Sequence, residues 1–325
     1  MKKIRVKYTD WWDGFEPENY RIHKILTKHF RVELSDTPDY VISSVYSKDF
    51  MKYECVRILY TGENICPDFN LFDYAIGFEH LDFGDRYLRF PNYLMNPLYE
   101  NDINLMLSKH LVTLEGINDK TEFCDFVYSN QNADPIREKM FYKLNEYKRV
   151  NSGGKFMNNV GMAEGVLDKF KFQKKHKFSI AFENSSHYGY TTEKLVQSFA
   201  AQTIPIYWGD PNISEVFNTK AMINVSEFSS LDDVVNKVKE VDQNEKLYCT
   251  MLSEPAMVQE TVLEEKYQEL ETFLVNIFSQ PLMQAGRRNK GMAVKRYYSI
   301  EDKNTKGSNA RDKKIGVWNR ISRVI

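Results

Sequence analysis

The stretch from Lys177 to Val225 switches between two side-chain periods, and few architectures use both so closely. Phe178 to Phe182 is a short apolar run between a charged residue and the polar Asn184-Ser185-Ser186, the pattern of a buried strand followed by a turn. Beyond Gly189, Leu195, Val196, Phe199 and Ala200 recur at helical spacing behind Glu193. This predicts a helix capped by Thr191 or Thr192 and ending near Gln202. Ile204 to Trp208 reads as a second buried strand, closed by the turn Gly209-Asp210-Pro211. Strand, polar loop, helix and strand make the βαβ unit of a parallel sheet, where ligands bind at the carboxyl ends of the strands.

The same alternation runs through the rest of the chain. Strands are predicted at Ile4 to Tyr8, Phe30 to Leu34, Tyr40 to Val45, Arg57 to Tyr60, Asp73 to Phe78, Arg86 to Phe90 and Phe123 to Tyr128. Helices are predicted at Glu18 to His29, Ser47 to Tyr53, Pro135 to Tyr147, Leu231 to Val241 and Asp242 to Leu252. A long amphipathic helix from 260 to 278 carries Leu263, Tyr267, Leu270, Leu274 and Ile277 along one stripe, a core-facing pattern. The chain has 325 residues, and single cores rarely grow past roughly 250 to 300, so two domains are expected.

Composition narrows the class further. There is no apolar run long enough to span a bilayer, and Met1-Lys2-Lys3 leads into the strand-like Ile4-Arg5-Val6-Lys7 rather than into a signal peptide. Cys55, Cys66, Cys124 and Cys249 have neither close pairing nor metal-ligand spacing, and are expected to be reduced and buried. A cytoplasmic protein is expected. No G-x-G-x-x-G follows a predicted strand, which counts against a dinucleotide oxidoreductase. A formal net charge of −1 gives no case for a nucleic-acid partner.

Candidate chemistry gathers in the loop and first turn of the central unit. Asn184, Tyr190, Glu193 and Lys194 lie between a strand end and a helix start, where exposed N–H groups and the helix dipole favour an anion. A lysine there suits a phosphate and the glutamate a ribose hydroxyl pair, although a lone Glu-Lys pair in a first turn is ordinarily just solvated. Asp10-Trp11-Trp12 follows the first strand. It is either a rim on which a sugar stacks or a cluster packed against the next helix. Gly153-Gly154-Lys155 is a weak phosphate-loop signal that lacks the Lys-Ser/Thr ending.

FENSSHYGYTTEK followed by TIPIYWGDP resembles the signature of the α-1,3-fucosyltransferases, and YTGEN with DFNLFDYAIGFEHLDFGDRYLRFP is similar to the bacterial members nearly position for position. The resemblance runs with gaps from about Arg57 to Pro281. It implies a GT-B fold, with two Rossmann-like domains facing a cleft: an acceptor-binding domain at 1–120, a GDP-fucose-binding domain at 121–285 and a separate tail at 286–325. It also implies that Asn184, Tyr190, Glu193 and Lys194 contact GDP-fucose. SNQNADPIREKMFY is similar to a family segment whose arginine contacts the donor pyrophosphate, which carries that role to Arg137 and donor contacts to Ser129 and Asn130. Glu63, after the strand ending at Tyr60, is then the implied catalytic base. Asp10, Trp11 and Trp12 are candidate acceptor contacts. Some relatives have a basic residue where Met157 stands here.

The implied reaction is inverting transfer of L-fucose from GDP-β-L-fucose to O3 of GlcNAc in a Gal-GlcNAc acceptor. No metal and no further cofactor is expected. A different linkage or acceptor, O4 of GlcNAc or O3 of glucose, and a non-catalytic glycan-binding module are the alternatives. The tail stands apart electrostatically. From 286 to 325 it carries twelve Lys plus Arg against three Asp plus Glu, while the remainder is at −10. Within 313–325, Ile315, Trp318, Ile321 and Ile325 share a helical face opposite Lys313, Lys314, Arg320 and Arg323, as in a helix lying on an anionic membrane surface.

Overall fold

The computed structural model describes residues 1–108, 120–259, 262–294 and 296–299. The expected domain junction borders the undescribed segment 109–119, and the expected tail helix at 313–325 lies outside the described residues.

Two sheets form. The first contains β1 (Lys3–Thr9), β2 (Arg31–Leu34), β3 (Tyr40–Ser43), β4 (Val56–Tyr60), β5 (Tyr74–Gly77) and β6 (Tyr87–Arg89) in the order β2-β1-β3-β4-β5-β6. The second contains β7 (Glu122–Phe126), β8 (Val150–Ser152), β9 (His176–Phe182), β10 (Ile204–Trp208) and β11 (Ile223–Asn224) in the order β11-β10-β9-β7-β8. Every strand pairing in both sheets is parallel. The central strands β3, β4 and β5 are buried along their whole length, because the helices at 21–29 and 262–279 cover one face and Phe50 and Phe72 cover the other, leaving no solvent side for polar residues to alternate onto.

The helices are α1 (Arg21–His29), α2 (Asn92–Met95), α3 (Glu100–Leu107), α4 (Ile136–Tyr147), α5 (Lys169–Lys174), α6 (Glu193–Ala200), α7 (Leu231–Gln243), α8 (Glu245–Ser253), α9 (Val262–Ser279) and α10 (Leu282–Ala285). The first begins three residues later than its periodicity predicts: Pro17–Asn19 makes a separate turn, and the extended backbone of Tyr20 divides it from α1. Ser47 to Tyr53 forms only a short turn at Asp49–Lys52. Of the four cysteines expected to be buried only Cys124 is. Cys66 is exposed, and all four are free.

The long helix α9 does not pack on the sheet that precedes it. Leu263, Leu270, Leu274, Ile277 and Phe278 join the core of the first sheet with Ile4, Val6, Tyr40 and Ile58. The Phe278 ring stands 4.4 Å from that of Tyr40. Just beyond, the fully buried Asp73 accepts hydrogen bonds from the backbone N–H groups of Arg287 and Arg288, each at 2.7 Å, and pairs with the Arg288 guanidinium at 2.7 Å. Residues from the helix at 262–279, expected with the second domain, and Arg287 and Arg288 of the expected tail therefore lie against the first. In the opposite direction, Ile103 and Met106 of α3 share a core with Leu195 and Phe199 of α6. Among the described residues no helix is long and apolar enough to cross a membrane.

The glycine pair is a packing device. A Cβ on Gly154 would stand 1.9 Å from the Tyr128 carbonyl oxygen, and one on Gly153 2.7 Å from the Phe172 ring. Met157, in a left-handed conformation, packs on the second core, and Lys155 pairs with Glu164 at 2.6 Å. Gly154→Ala is expected to cost about 1–3 kcal/mol, as overpacking against backbone does. Denaturant unfolding measures this, and an unchanged midpoint would show that the close approach is not required.

Candidate active site

In each sheet the chain leaves its first strand for one side and later returns to build the other. The crevice at such a switch point is open at the carboxyl ends of the two strands that flank it. In the first sheet the switch lies between β1 and β3, and in the second between β7 and β9. The loops from both switch points, together with the loop after β4, line one cavity of about 590 Å³. Trp12, Ser44, Tyr46, Gly62 and Glu63 face it from the first sheet, and Ser129, Asn130, Arg137, Asn184, Tyr190, Glu193 and Lys194 from the second.

Arg137, in the first turn of α4, is 1% exposed. Its Nη1 donates to Asn184 Oδ1 at 3.4 Å and its Nη2 to the Asn130 carbonyl, while the guanidinium carbon lies 4.3 Å from the centre of the Tyr128 ring. Its Nε has no partner. Burial lowers its pKa from the ordinary value, yet a guanidinium stays charged in proteins. Among the described residues no carboxylate pairs with it at salt-bridge distance. A buried cation held by neutral groups is a site prepared for an anion.

Lys194 is arranged differently. Its Nζ lies 3.1 Å from Glu183 Oε2 and 3.5 Å from Glu193 Oε1, and donates to Thr192 Oγ1 at 2.9 Å. Burial alone would lower its pKa, but the two carboxylates outweigh that and hold it well above the usual lysine value. The ion pair's contribution to stability is thus complete below the ordinary lysine value and disappears only as pH rises through the elevated one. Burial opposes ionisation of Glu193 as well, and the Lys194 and Lys169 charges reverse this and pull its pKa down.

Glu183 stands inside the FEN segment of the quoted signature, yet the sequence assigns it no role. It is fully buried, and it accepts from Thr192 N–H at 2.7 Å and from Thr192 Oγ1 at 2.7 Å. The predicted cap is therefore inverted. Thr192 occupies the N-cap position, yet its side chain makes no capping bond, and the Glu183 carboxylate satisfies its N–H instead. Lys169 is the other residue that periodicity did not reveal. It reaches the cavity from α5, with Nζ donating to Gln197 Oε1 at 2.7 Å.

Glu63 is half-buried, and its Oε1 accepts from Tyr46 Oη at 3.1 Å. Of the three candidate acceptor contacts, Trp12 alone lines the cavity. Asp10 has a positive φ that turns its carboxylate inward, where it accepts from Ser43 Oγ, Ser47 Oγ and the N–H groups of Asp49 and Phe50. These four bonds leave it with a structural task. Trp11 is stacked between Phe15 at 3.9 Å and Tyr60 at 5.4 Å, and its Nε1 donates to the Ile42 carbonyl at 3.1 Å. For Trp11 the packed alternative is the one observed.

Comparison with known proteins agrees with this geometry. Residues 6–96 match the α-(1,3)-fucosyltransferase FucT N-terminal domain, and residues 117–271 match the C-terminal part of glycosyltransferase family 10, the fucosyltransferases. Over 288 residues the chain is 33% identical to the α-(1,3)-fucosyltransferase FucT of Helicobacter pylori, covering 77% of this chain and 60% of that relative. The chain belongs to the α-1,3-fucosyltransferase family. It spans about 60% of the length of the Helicobacter relative. The crystal structure of an α1,3-fucosyltransferase with GDP-fucose superimposes with a TM-score of 0.69 at 28% identity, covering 83% of this chain and 91% of that one. A shorter similarity, 31% over 133 residues, is to the mouse 4-galactosyl-N-acetylglucosaminide 3-α-L-fucosyltransferase 9, covering 40% of this chain and 36% of that relative. The two facing parallel sheets are those of the GT-B fold expected for a fucosyltransferase.

Within this fucosyltransferase fold, Glu183 is expected to support the cationic corner. Glu183→Ala leaves Lys194 with Glu193 as its remaining carboxylate and an uncapped helix, and is expected to cost about 3 kcal/mol of stability. Urea unfolding checks this, and a loss below about 1 kcal/mol would show the buried acid to be dispensable.

Proposed function

We propose that this chain transfers L-fucose from GDP-β-L-fucose to O3 of GlcNAc in Gal-GlcNAc acceptors, with inversion at the anomeric carbon. One observation carries the reading: a carboxylate of the first domain, Glu63, and two cations of the second, Arg137 and Lys194, line the same cavity. Glu63 takes the proton from the acceptor hydroxyl as the new carbon–oxygen bond forms. The bond from the anomeric carbon to the β-phosphate oxygen breaks with its electron pair on the phosphate, and GDP departs. Tyr46 donates to Oε1 of the base, which leaves Oε2 to take the proton.

Arg137 and Lys194 stabilise the charge that develops on the departing diphosphate. Their difference suits two tasks: the guanidinium has no carboxylate partner among the described residues and binds phosphate oxygens in pairs, while the amine adds a fixed point charge. Glu193 and Tyr190 receive the ribose, and Asn184, Ser129 and Asn130 complete the donor site. Trp12, with Tyr46 edge-on at 6.0 Å, forms the rim on which the acceptor stacks. The cations do the electrostatic work of the leaving group, so chelation by EDTA is expected to leave turnover unchanged.

Glu63→Gln is expected to lower transfer by about 10²–10⁴-fold while the affinity for GDP stays within about two-fold of wild type. Transfer assays with labelled GDP-fucose and calorimetry with GDP measure the two. Retention of most activity would remove Glu63 from the role of base. Linkage analysis of the product tests the acceptor half: fucose at O4 of GlcNAc or O3 of glucose replaces the regiochemistry proposed here, and absence of any product from all acceptors leaves a binding module.

We also propose a cytoplasmic protein that touches the membrane peripherally through 313–325. Full-length protein is expected to sediment with phosphatidylserine liposomes and a chain ending at Ser299 is not. Equal sedimentation of both sinks the anchor.

A further inference from the structure

The loop that bears Glu63 is not free to move independently of the donor loop. Asn64, the next residue, reaches across the cleft, and its Nδ2 donates to Ser185 Oγ at 2.6 Å. Ser185 in turn follows Asn184, whose Oδ1 accepts from Arg137. The bond therefore joins the residue adjoining the candidate base to the residue adjoining a candidate donor contact. On its own side of the cleft the Glu63 loop is closed by Thr61, whose hydroxyl donates to the Glu63 carbonyl at 3.0 Å and accepts from the Glu63 N–H at 3.2 Å. A displacement of Asn64 is thus passed to Glu63 through a short, braced turn.

Other contacts clamp the same two segments. Glu79 Oε2 lies 2.8 Å from His187 Nε2, and the Phe78 ring meets that of Tyr190 edge-on at 4.9 Å. Gly189, at φ +82°, lies so close to the first domain that a Cβ there would stand 2.4 Å from the Phe78 carbonyl oxygen. The donor loop from Asn184 to Tyr190 thus has two faces. One lines the cavity, and the other is seated on the first domain.

We propose that Asn64 and Ser185 form a clasp that sets the position of the base relative to the bound nucleotide sugar, with Asn64 a positioning residue for Glu63. The clasp ties the turn carrying the carboxylate to the loop that contacts the nucleoside diphosphate sugar, so the base keeps a fixed place relative to the bound donor. A base misplaced by an ångström loses much of the benefit of being held in the site. Neither Asn64 nor Ser185 lines the cavity, and loss of the clasp affects turnover rather than donor affinity. This rests on the reading of Glu63 as the base.

The test is a double-mutant cycle on the full chain, reading release of GDP as fucose passes from GDP-fucose at saturating donor to a Gal-GlcNAc acceptor, and the Kd for GDP by calorimetry. Asn64→Ala and Ser185→Ala are each expected to slow release about ten-fold, the range of a lost hydrogen bond at a reacting centre, with the Kd within about two-fold. The double variant is expected to fall no further than either single one. Binding of GDP at wild-type affinity shows that each variant has a folded donor site. Wild-type turnover by Asn64→Ala, losses that multiply in the double variant, or GDP affinity that falls in step with turnover overturns the clasp. Glu63→Gln, run alongside, separates the two ideas: if it keeps its turnover, the base assignment and the clasp fall together, and if it loses turnover while Asn64→Ala does not, the clasp alone falls.

Discussion

Parallel pairing is the constraint on which the rest of the molecule depends. Every crossover in a parallel sheet returns the chain to the same edge, so the carboxyl ends of the strands collect the loops that follow them. Here two such sheets present those edges to one cavity. Neither domain holds a complete site. The first contributes carboxylate and aromatic side chains and the second contributes the cations, and only their apposition brings the two sets to one cavity.

That division places a demand on the interface, since the cavity keeps its shape only while the two sheets keep their places. The chain meets it by exchanging elements. The helix from 262 to 279 returns to the first core, the helix from 100 to 107 packs on the helix that begins at Glu193, and Gln197 of the latter donates to Asp102 of the former at 3.1 Å. Each half carries a piece of the other, and shared apolar packing resists relative displacement more strongly than surface ion pairs would.

Much of this was legible in sequence because it is local. The unit from Phe178 to Trp208 is written in a change of period, and its strand and helix limits are found within a few residues of those predicted. What escaped is non-local. An acid before two tryptophans reads as part of a sugar-binding rim, but the partners that claim Asp10 are hydroxyls and amides up to forty positions away, and a left-handed backbone that turns its side chain inward leaves no compositional trace. The stripe on the long helix announces a buried face without saying which sheet it covers. Two glycines suggest a phosphate cradle equally well whether they approach a ligand or, as here, the backbone of Tyr128. Glu183 was invisible for a further reason: a buried carboxylate is readable only when its cation is known, and Lys194 lies a loop and a helix start away.

The types of cation in the cavity follow from their surroundings. Burial depresses the pKa of a basic group, as it does for both Arg137 and Lys169, in Lys169 even against the opposing pull of the Glu193 carboxylate. Starting from its high ordinary value, the guanidinium tolerates that shift and remains charged with only neutral partners, so it can stand at the unpaired position. An amine in that place would start from a lower ordinary value and hold its charge less securely. Lys194 escapes this because Glu183 and Glu193 return more than burial removes. Glu183 therefore does two things with one side chain: it ends the orphan state of the helix's first N–H group, and it keeps the neighbouring ammonium charged. An apolar residue at 183 would satisfy the strand's period but leave both groups without an answer, which is the physical reason for an acid at the end of an otherwise apolar run.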